Sequence, residues 1–156
     1  MKSYPIVFSF RDPIVGNGFV AGVEIVGRAV LTEEDDGDVW VFGVQPGGVA
    51  GGDKQIETAL RQFKENYLTV LFDLASDANT FHAFKKSVDA FFAQTNKPNE
   101  QDWNGLHALV KRGSISLPGM ERVDASTRRP SIQVVLLDKK ESKPTVNQFD
   151  EIAQAA

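Results

Sequence analysis

The sequence predicts an α+β domain, an antiparallel sheet packed by one long helix, and three observations support this class. Alternating apolar residues in the first third of the chain indicate strands, and a long apolar stripe with helical spacing follows them. A last apolar run near the C-terminus indicates one more strand. The chain has 156 residues, 42% of them hydrophobic, which is typical of a single soluble domain with its own core.

Three strands are predicted in the first third of the chain. They span Tyr4–Phe10, Phe19–Leu31 and Val39–Val44, where apolar side chains recur at every second position. The dipeptide Asn17-Gly18 strongly favours a turn between the first two strands, and the charged segment Thr32–Asp38 joins the second and third strands. Connections this short predict a three-stranded antiparallel meander.

Helices are predicted to follow the glycine-rich stretch Gln45–Asp53, which is itself predicted as a loop. Asp53 is a suitable N-cap for a helix over Lys54–Asp73, whose apolar residues are spaced three or four apart. These residues are Ile56, Leu60, Phe63, Tyr67, Leu71 and Leu74. Phe72 lies off this stripe, which indicates a second contact on the helix and favours self-association.

The second half of the chain is predicted as an insertion, a strand and a tail. Residues 79–112 form a helical insertion of two shorter helices. Residues 131–138 form a closing strand, and its nearly continuous apolar side chains favour a buried position. The remaining residues, 139–156, form a polar tail with a terminal helix beginning at Thr145. Together with residues 4–75 as the core, these parts are expected to make one domain, 1–156.

Composition excludes several classes of protein. The chain has no cysteine, which excludes disulfides, thiolate metal sites and cysteine nucleophiles. The first residues lack the apolar run of a signal peptide, and no stretch approaches the length of a membrane span. We therefore expect a cytoplasmic protein that does not contact membranes.

Charge is distributed unevenly along the chain. The net charge is −4, with 6 basic and 12 acidic residues in positions 1–78 against 11 basic and 9 acidic residues in positions 79–156. The acidic excess is concentrated in Glu33–Asp38. We interpret this segment as a solvated turn, because the spacing of its acidic residues does not match a calcium loop. In the basic half, Arg128 and Arg129 are the predicted anion-binding residues.

Catalytic motifs are missing from the sequence. His82 and His107 share no motif, and no Gly-x-Ser-x-Gly elbow occurs. The glycine-rich stretch is followed by Asp53-Lys54-Gln55, whereas a P-loop needs Lys-Ser or Lys-Thr after its last glycine. We therefore expect no enzymatic activity, no cofactor and no metal.

Three segments resemble the HicB-like antitoxin domain, a small relative of the ribonuclease H fold without its catalytic carboxylates. They are Val39–Pro46, Gly51–Asp53 and Ile56–Leu60, and the likeness covers residues 4–75. The loop at residues 46–49 is shorter than is usual in that family, and the family's DNA-binding segment is replaced by helices and a strand. The resemblance implies a protein that binds a small RNA-cleaving toxin and forms dimers or larger assemblies.

The predicted function is thus that of an interaction protein whose acidic half binds a small basic partner. Its predicted partner-binding residues are Gln45, Pro46, Asp53 and Glu57. The alternatives are a nucleic-acid-binding module that uses the basic second half, a structural or oligomeric domain, and an enzyme or small-ligand binder that uses the loop from Pro46 to Asp53.

Overall fold

The computed structural model describes residues 1–138 and 151–155, which form one open antiparallel sheet and three α-helices. The predicted α+β class is therefore confirmed. The strands are β1 (Lys2–Val15), β2 (Val20–Glu33), β3 (Val39–Gln45), β4 (Ala50–Asp53), β5 (Ser131–Asp138) and β6 (Glu151–Ala155). The helices are α1 (Ile56–Asp77), α2 (Phe81–Ala93) and α3 (Lys97–Lys111).

The predicted meander is part of a larger sheet. The strand order is β4-β3-β2-β1-β6, and all of these neighbours pair antiparallel. The outer edge of β2 is shared between two strands, since β3 pairs with residues 28–33 and β5 pairs with residues 20–26. The strand β2 therefore joins the early and the late parts of the chain.

The larger hydrophobic core lies on the sheet face that α1 and α2 cover, here called the first face. Phe8 and Phe10 of β1 contact Phe63 of α1, with ring centroids 5.1 and 6.4 Å apart. Tyr67 lies one turn further along α1, 5.6 Å from the Phe10 ring. Together with Leu71 these α1 residues are buried, so the predicted apolar stripe faces the sheet.

The first face also holds an ion pair. Lys64 Nζ lies 3.2 Å from Asp12 Oδ1, and the two side chains are only 16% and 15% exposed. The Lys64 ammonium lies 5.5 Å from the centre of the Phe10 ring. Burial, and secondarily the charge of Asp12, raises the pKa of the nearby Tyr67 hydroxyl. Both charges of this pair are thus matched inside the core.

The smaller core lies on the opposite face of the sheet, here called the second face, under α3. Trp103 is its largest side chain and is 2% exposed, and its Nε1 donates a hydrogen bond to the Ile6 carbonyl at 3.1 Å. Val7, Val30 and Val44 pack around it from three adjacent strands. The helix α3 contacts β1, β2 and β3, which leaves the part of this face near β5 more exposed.

The prediction for residues 45–57 is wrong in two respects. Residues 50–53, predicted as loop, form β4 and pair with β3, because glycines supply no side-chain alternation from which a strand can be recognised. The helix α1 begins at Ile56 with Gln55 as its N-cap, so Asp53 does not cap it. Instead, Asp53 Oδ1 accepts a hydrogen bond from the backbone nitrogen of Lys54.

The predicted packing by one long helix is only part of the arrangement. The helix α1 runs four residues beyond the predicted end at Asp73, to Asp77. The predicted helical insertion divides between the two faces, because α2 joins the first core and α3 forms the second.

The late strands also differ from their predictions. The apolar run of β5 indicates a buried strand, but within the described residues β5 pairs on one side only, and Val135 and Leu137 are 41% and 46% exposed. Residues 151–155 form β6, where the predicted terminal helix should continue, while residues 145–150 of that helix lie outside the described residues. Among the described helices, none combines the length and apolar character needed to cross a bilayer.

Candidate functional site

The four predicted partner-binding residues lie at opposite ends of the β3–β4 hairpin. Gln45 and Pro46 lie at its turn and are joined by a cis peptide bond. Asp53 pairs with Val39 at the far end, and Glu57 lies in the first turn of α1. Because the two ends are about six strand residues apart, roughly 20 Å separates Gln45 from Asp53. The structure does not bring these four residues into one site.

The glycine-rich stretch allows α1 to lie directly against β4. A Cβ atom at Gly51 would lie 2.3 Å from the backbone nitrogen of Phe63, and one at Gly52 would lie 2.6 Å from the Trp40 ring. Asn66 of α1 donates a hydrogen bond to the Ala50 carbonyl at 2.6 Å. The segment is therefore a strand beside the helix, rather than a ligand-binding loop ahead of it.

Acidic side chains gather where the turn between β2 and β3 meets the end of β4. The carboxylates of Glu34, Asp36 and Asp38 lie within 4.8 Å of one another. Lys54 Nζ bonds Asp38 at 3.1 Å, and this hydrogen bond, followed by the charges of Asp38, Asp36 and Asp53, raises the pKa of Lys54. The clustered residues Glu34, Asp36 and Asp38, together with Asp35, are called the acidic end below.

Solvent reaches most of the acidic end. Glu34 and Asp36 are exposed, and Asp38 is half-buried. The N-terminal amino group bonds Asp35, and this hydrogen bond, followed by the charge of the amino group, lowers the pKa of Asp35. Three neighbouring carboxylates have the chemistry to contact a divalent cation, but exposed acidic groups are common without one. The acidic end is therefore a negatively charged surface.

A groove runs between the acidic end and α3. It has a volume of about 650 Å³, and its charged side chains are Glu34 and Asp102. Apolar side chains from both the sheet and α3 line the rest of it, among them Val30, Phe42 and Leu106. We call it the acidic groove. Its combination of apolar walls and carboxylates suits a basic side chain with a long aliphatic stem.

Cationic side chains lie beside the C-terminal end of α3. The Arg28 guanidinium lies over the Trp103 ring, with Cζ 4.2 Å from the ring centroid, and the His107 ring lies 4.9 Å from the same indole. Next to them is a cavity of about 320 Å³, lined by His107, Lys111 and Arg122 together with residues 123–125. The four residues Arg28, His107, Lys111 and Arg122 are called the cationic group.

The two predicted anion-binding residues precede β5. Arg128 is half-buried and Arg129 is exposed. Burial lowers the pKa of Arg28 most, the charge of Glu100 raises it, and the charge of Arg129 lowers it. Arg129 is therefore close enough to act on the cationic group electrostatically.

Sequence reasoning placed Lys111 and Arg122 in the basic second half but missed that they meet Arg28 and His107, because the four residues come from β2, from α3 and from the segment after α3. No motif links residues so far apart in the chain. The available signal was the pair Trp103 and His107, since residues four apart on a helix share a face. His82, the other histidine, lies exposed on α2.

Exposed apolar side chains lie on the part of the second face near β5. Val15 of β1 and Val135 and Leu137 of β5 are each more than 40% exposed. A Cβ atom at Gly22 would lie 3.3 Å from Val135, so this glycine lies under the two β5 side chains. Within the described residues, the outer edge of β5 has no partner strand, and an open apolar edge is a template for strand pairing.

Comparison of the chain with protein-family models, with curated proteins and with solved structures finds no match. The resemblance of residues 4–75 to the HicB-like antitoxin domain therefore stays a prediction. What the protein does must be inferred from its own surfaces, which are the acidic end with its groove, the cationic group and the β5 edge.

Proposed function

We propose that this protein is a non-enzymatic interaction protein whose acidic end and acidic groove bind a small basic protein. The observation that carries the proposal is the acidic groove, which is lined by the carboxylates of Glu34 and Asp102 and by apolar side chains. The acidic end borders it and adds further negative charge. A field of one sign speeds encounter with an oppositely charged partner and selects against others.

Aromatic side chains beside the acidic end support the same proposal. Trp40 is 39% exposed and stacks on Phe42, with ring centroids 6.1 Å apart and an interplanar angle of 14°. Phe42 also lines the acidic groove. Tryptophan is enriched among the interface residues that dominate binding energy.

The resemblance to the HicB-like antitoxin domain agrees with this chemistry. It implies a toxin partner, and a protein that cleaves RNA is expected to be basic because its substrate is anionic. The proposal thus combines an implied partner with a surface of complementary charge.

Neutralising the surface tests the proposal. In the triple variant Glu34→Gln, Asp36→Asn and Asp102→Asn, side-chain shape is kept and three negative charges are removed. The matched control is Glu65→Gln, Asp73→Asn and Asp77→Asn, which removes three exposed charges from α1. Each purified chain is immobilised and exposed to extract of the native host, and retained proteins are identified after low-salt and high-salt washes.

The expected result is a small basic protein that the wild type and the α1 control retain at high salt and that the groove variant loses. Equal retention by all three chains would place the partner elsewhere on the molecule. Retention of no basic protein by the wild type would contradict the proposal. Thermal unfolding of each variant shows that a loss of binding is not a loss of fold.

Self-association through β5 is proposed as a second interaction. An antiparallel pair of β5 strands from two copies would continue the sheet and place Val135 and Leu137 beside their counterparts in the second copy. Val135→Lys is expected to shift the protein to monomer in sedimentation velocity, because a charge is placed in the strand pair. Thr69→Lys, at an exposed polar position of α1, is the control. A wild type that is monomeric at micromolar concentration would rule this interaction out.

Nucleic-acid binding is the alternative function, and the cationic group is the observation that favours it. Four phosphate contacts, from Arg28, Lys111, Arg122 and Arg129, predict a slope of about −3.6 for log affinity against log salt. A fluorescently labelled oligonucleotide titrated at several salt concentrations measures this slope. Undetectable binding at low salt would remove the alternative.

A further inference from the structure

The cavity beside α3 offers a site that partner binding at the acidic groove does not use. Lys111, Arg122 and His107 line it, and its volume of about 320 Å³ exceeds what a single small anion needs. We propose that this cavity binds a small phosphate ligand, either inorganic phosphate or a phosphomonoester. Lys111 and Arg122 would hold the phosphate oxygens, with His107 as a further donor.

Cationic charge exceeds acidic charge around the cavity. Asp124 is the acidic residue of the lining, against Lys111 and Arg122, and Arg28 is close enough for its charge to act on His107. Within residues 1–138 and 151–155, none of these three cations forms an ion pair with a carboxylate. A dianion between them would relieve their mutual repulsion and supply the missing acceptors.

Asp124 is held by its own turn. Its Oδ1 accepts hydrogen bonds from Ser126 Oγ at 2.6 Å and from the Ser126 backbone nitrogen at 3.0 Å. These bonds, the side-chain bond first, lower the pKa of Asp124 and keep it ionised. The carboxylate is therefore satisfied by the turn and leaves Lys111 and Arg122 available to a ligand.

Trp103 gives the site a fixed base. Its indole donates a hydrogen bond to the Ile6 carbonyl of the sheet, and it contacts both the Arg28 guanidinium and the His107 ring. Arg28 reaches the Ala125 carbonyl at 3.5 Å, while its buried Nε has no hydrogen-bond partner within the described residues. Arg28 and His107 are thus held in place before a ligand arrives and lose less conformational entropy on binding, whereas Lys111 and Arg122 are exposed.

The state of His107 is coupled to anion binding. Burial lowers its pKa most, the charges of Lys111, Arg28 and Arg122 lower it further, and the charge of Asp124 opposes them. An anion in the cavity offsets these cations and must raise the pKa of His107. By linkage, protonation of His107 then strengthens anion binding.

The shape of the site favours a small ligand over a nucleic-acid strand. A strand needs cations along a track, whereas here Lys111 and Arg122 line one cavity together with Asp124, and Glu121 is exposed just before Arg122. Arginine and lysine together suit a tetrahedral dianion that offers several acceptor oxygens.

The first experiment is calorimetric titration of the full chain with inorganic phosphate and with glycerol phosphate at constant ionic strength. Arg122→Gln and Lys111→Gln are each expected to weaken binding about tenfold, because each removes a charged hydrogen bond. Lys86→Gln, an exposed residue of α2 under the opposite face, is the control and should bind as the wild type does. Equal affinity in all variants, or no binding by the wild type, would overturn the proposal.

The second experiment follows the His107 ring by NMR during a pH titration, with and without sulfate, which remains a dianion over the range used. Sulfate is expected to raise the pKa of His107, and the signal of His82 on α2 should not respond. An unmoved His107 titration would show that the cavity holds no anion.

A competition experiment separates the small ligand from nucleic acid. Phosphate that binds with a 1:1 stoichiometry and is not displaced by an oligonucleotide supports the proposal. An oligonucleotide that binds where phosphate does not, and that loses affinity in Arg122→Gln, would overturn it and assign the cationic group to nucleic acid.

Discussion

The two faces of the sheet differ in whether their partly buried charged side chains form ion pairs. On the first face, Lys64 and Asp12 form an ion pair, with both side chains mostly buried against α1. On the second face, Arg28 lies over Trp103 and, within the described residues, no carboxylate pairs with it. The Lys64 charge is thus satisfied by a close carboxylate, whereas Arg28, stabilised at longer range by the charge of Glu100, has no carboxylate in ion-pair contact among the described residues and stays available to an anion.

In a chain without catalytic motifs, a charge without a close partner indicates where a ligand binds. Burial of a matched pair is a structural solution, because both desolvated charges have a partner. Burial of an unmatched cation costs free energy, and a fold that keeps one beside a cavity is typical of a binding site. The five predictions below test this comparison, beginning with the largest effect.

Phe63→Ala is expected to destabilise the protein by about 3 to 5 kcal/mol. Phe63 is 1% exposed and contacts both Phe8 and Phe10, so the truncation leaves a cavity at the centre of the first core. Urea unfolding followed by circular dichroism measures the change. A loss below about 1 kcal/mol would show that the first face does not carry most of the stability.

Lys64→Met is expected to cost about 2 to 4 kcal/mol, because it leaves Asp12 in the core without its lysine. The value is below that of a fully buried pair, since both side chains keep some contact with solvent. The double variant Asp12→Leu with Lys64→Met should recover much of the loss. Failure of the double variant to recover would mean that the charges act independently.

Gly51→Ala is expected to cost about 1 to 3 kcal/mol through overpacking between β4 and α1. The new methyl group would lie 2.3 Å from backbone that cannot rotate away. Gly48→Ala is the matched control, since no atom lies within 4 Å of a Cβ there. Similar melting temperatures for the two variants would refute the close approach of helix and strand.

Arg28→Met is expected to change stability by less than about 1 kcal/mol, because removal of an unpaired cation offsets the lost contact with Trp103. This is the counterpart of Lys64→Met on the other face. Phosphate affinity, in contrast, should fall. A destabilisation as large as that of Lys64→Met would abolish the distinction between the two faces.

The smallest effect is a pH dependence from His107. Because its pKa is lower in the folded chain than the unfolded value near 6.5, the unfolded state binds more protons in this range. Stability should therefore be complete above the unfolded pKa and decrease as pH falls below it. The melting temperature of His107→Gln should decrease less than that of the wild type between pH 7.5 and pH 5.5.

The sequence was sufficient where side-chain periodicity carries the information. The stripe of α1 and the alternation in β1 to β3 follow from local spacing, and Phe63 and Tyr67 lie buried where that spacing places them. The prediction failed at β4, because Gly51 and Gly52 have no side chains to alternate. It failed at β5 because an apolar run gives no information on how many neighbours a strand has.

The site could be predicted only in fragments. Arg129 was predicted to bind an anion, and its charge lowers the pKa of Arg28. The two residues lie near each other because β2 pairs with β5 and because the chain runs from α3 to β5. No local pattern in the sequence predicts that Arg28 and Arg129 lie near each other. The acidic run of residues 33–38 could be recognised in the sequence. Its proximity to Asp102 of α3 could not, because it depends on the packing of the second face.

The division of β2 between two partner strands has a consequence for hydrogen exchange. All of β2 pairs with β1 along one edge, whereas along its other edge residues 28–33 pair with β3 of the N-terminal meander and residues 20–26 pair with β5, more than 100 residues later in the chain. Between them, a bulge interrupts the register at Arg28 and Ala29. Opening of β5 would therefore expose those amides of residues 20–26 that point toward β5, while the amides bonded to β1 and to β3 stay protected, so a single strand would exchange its amide protons in two separate cooperative units.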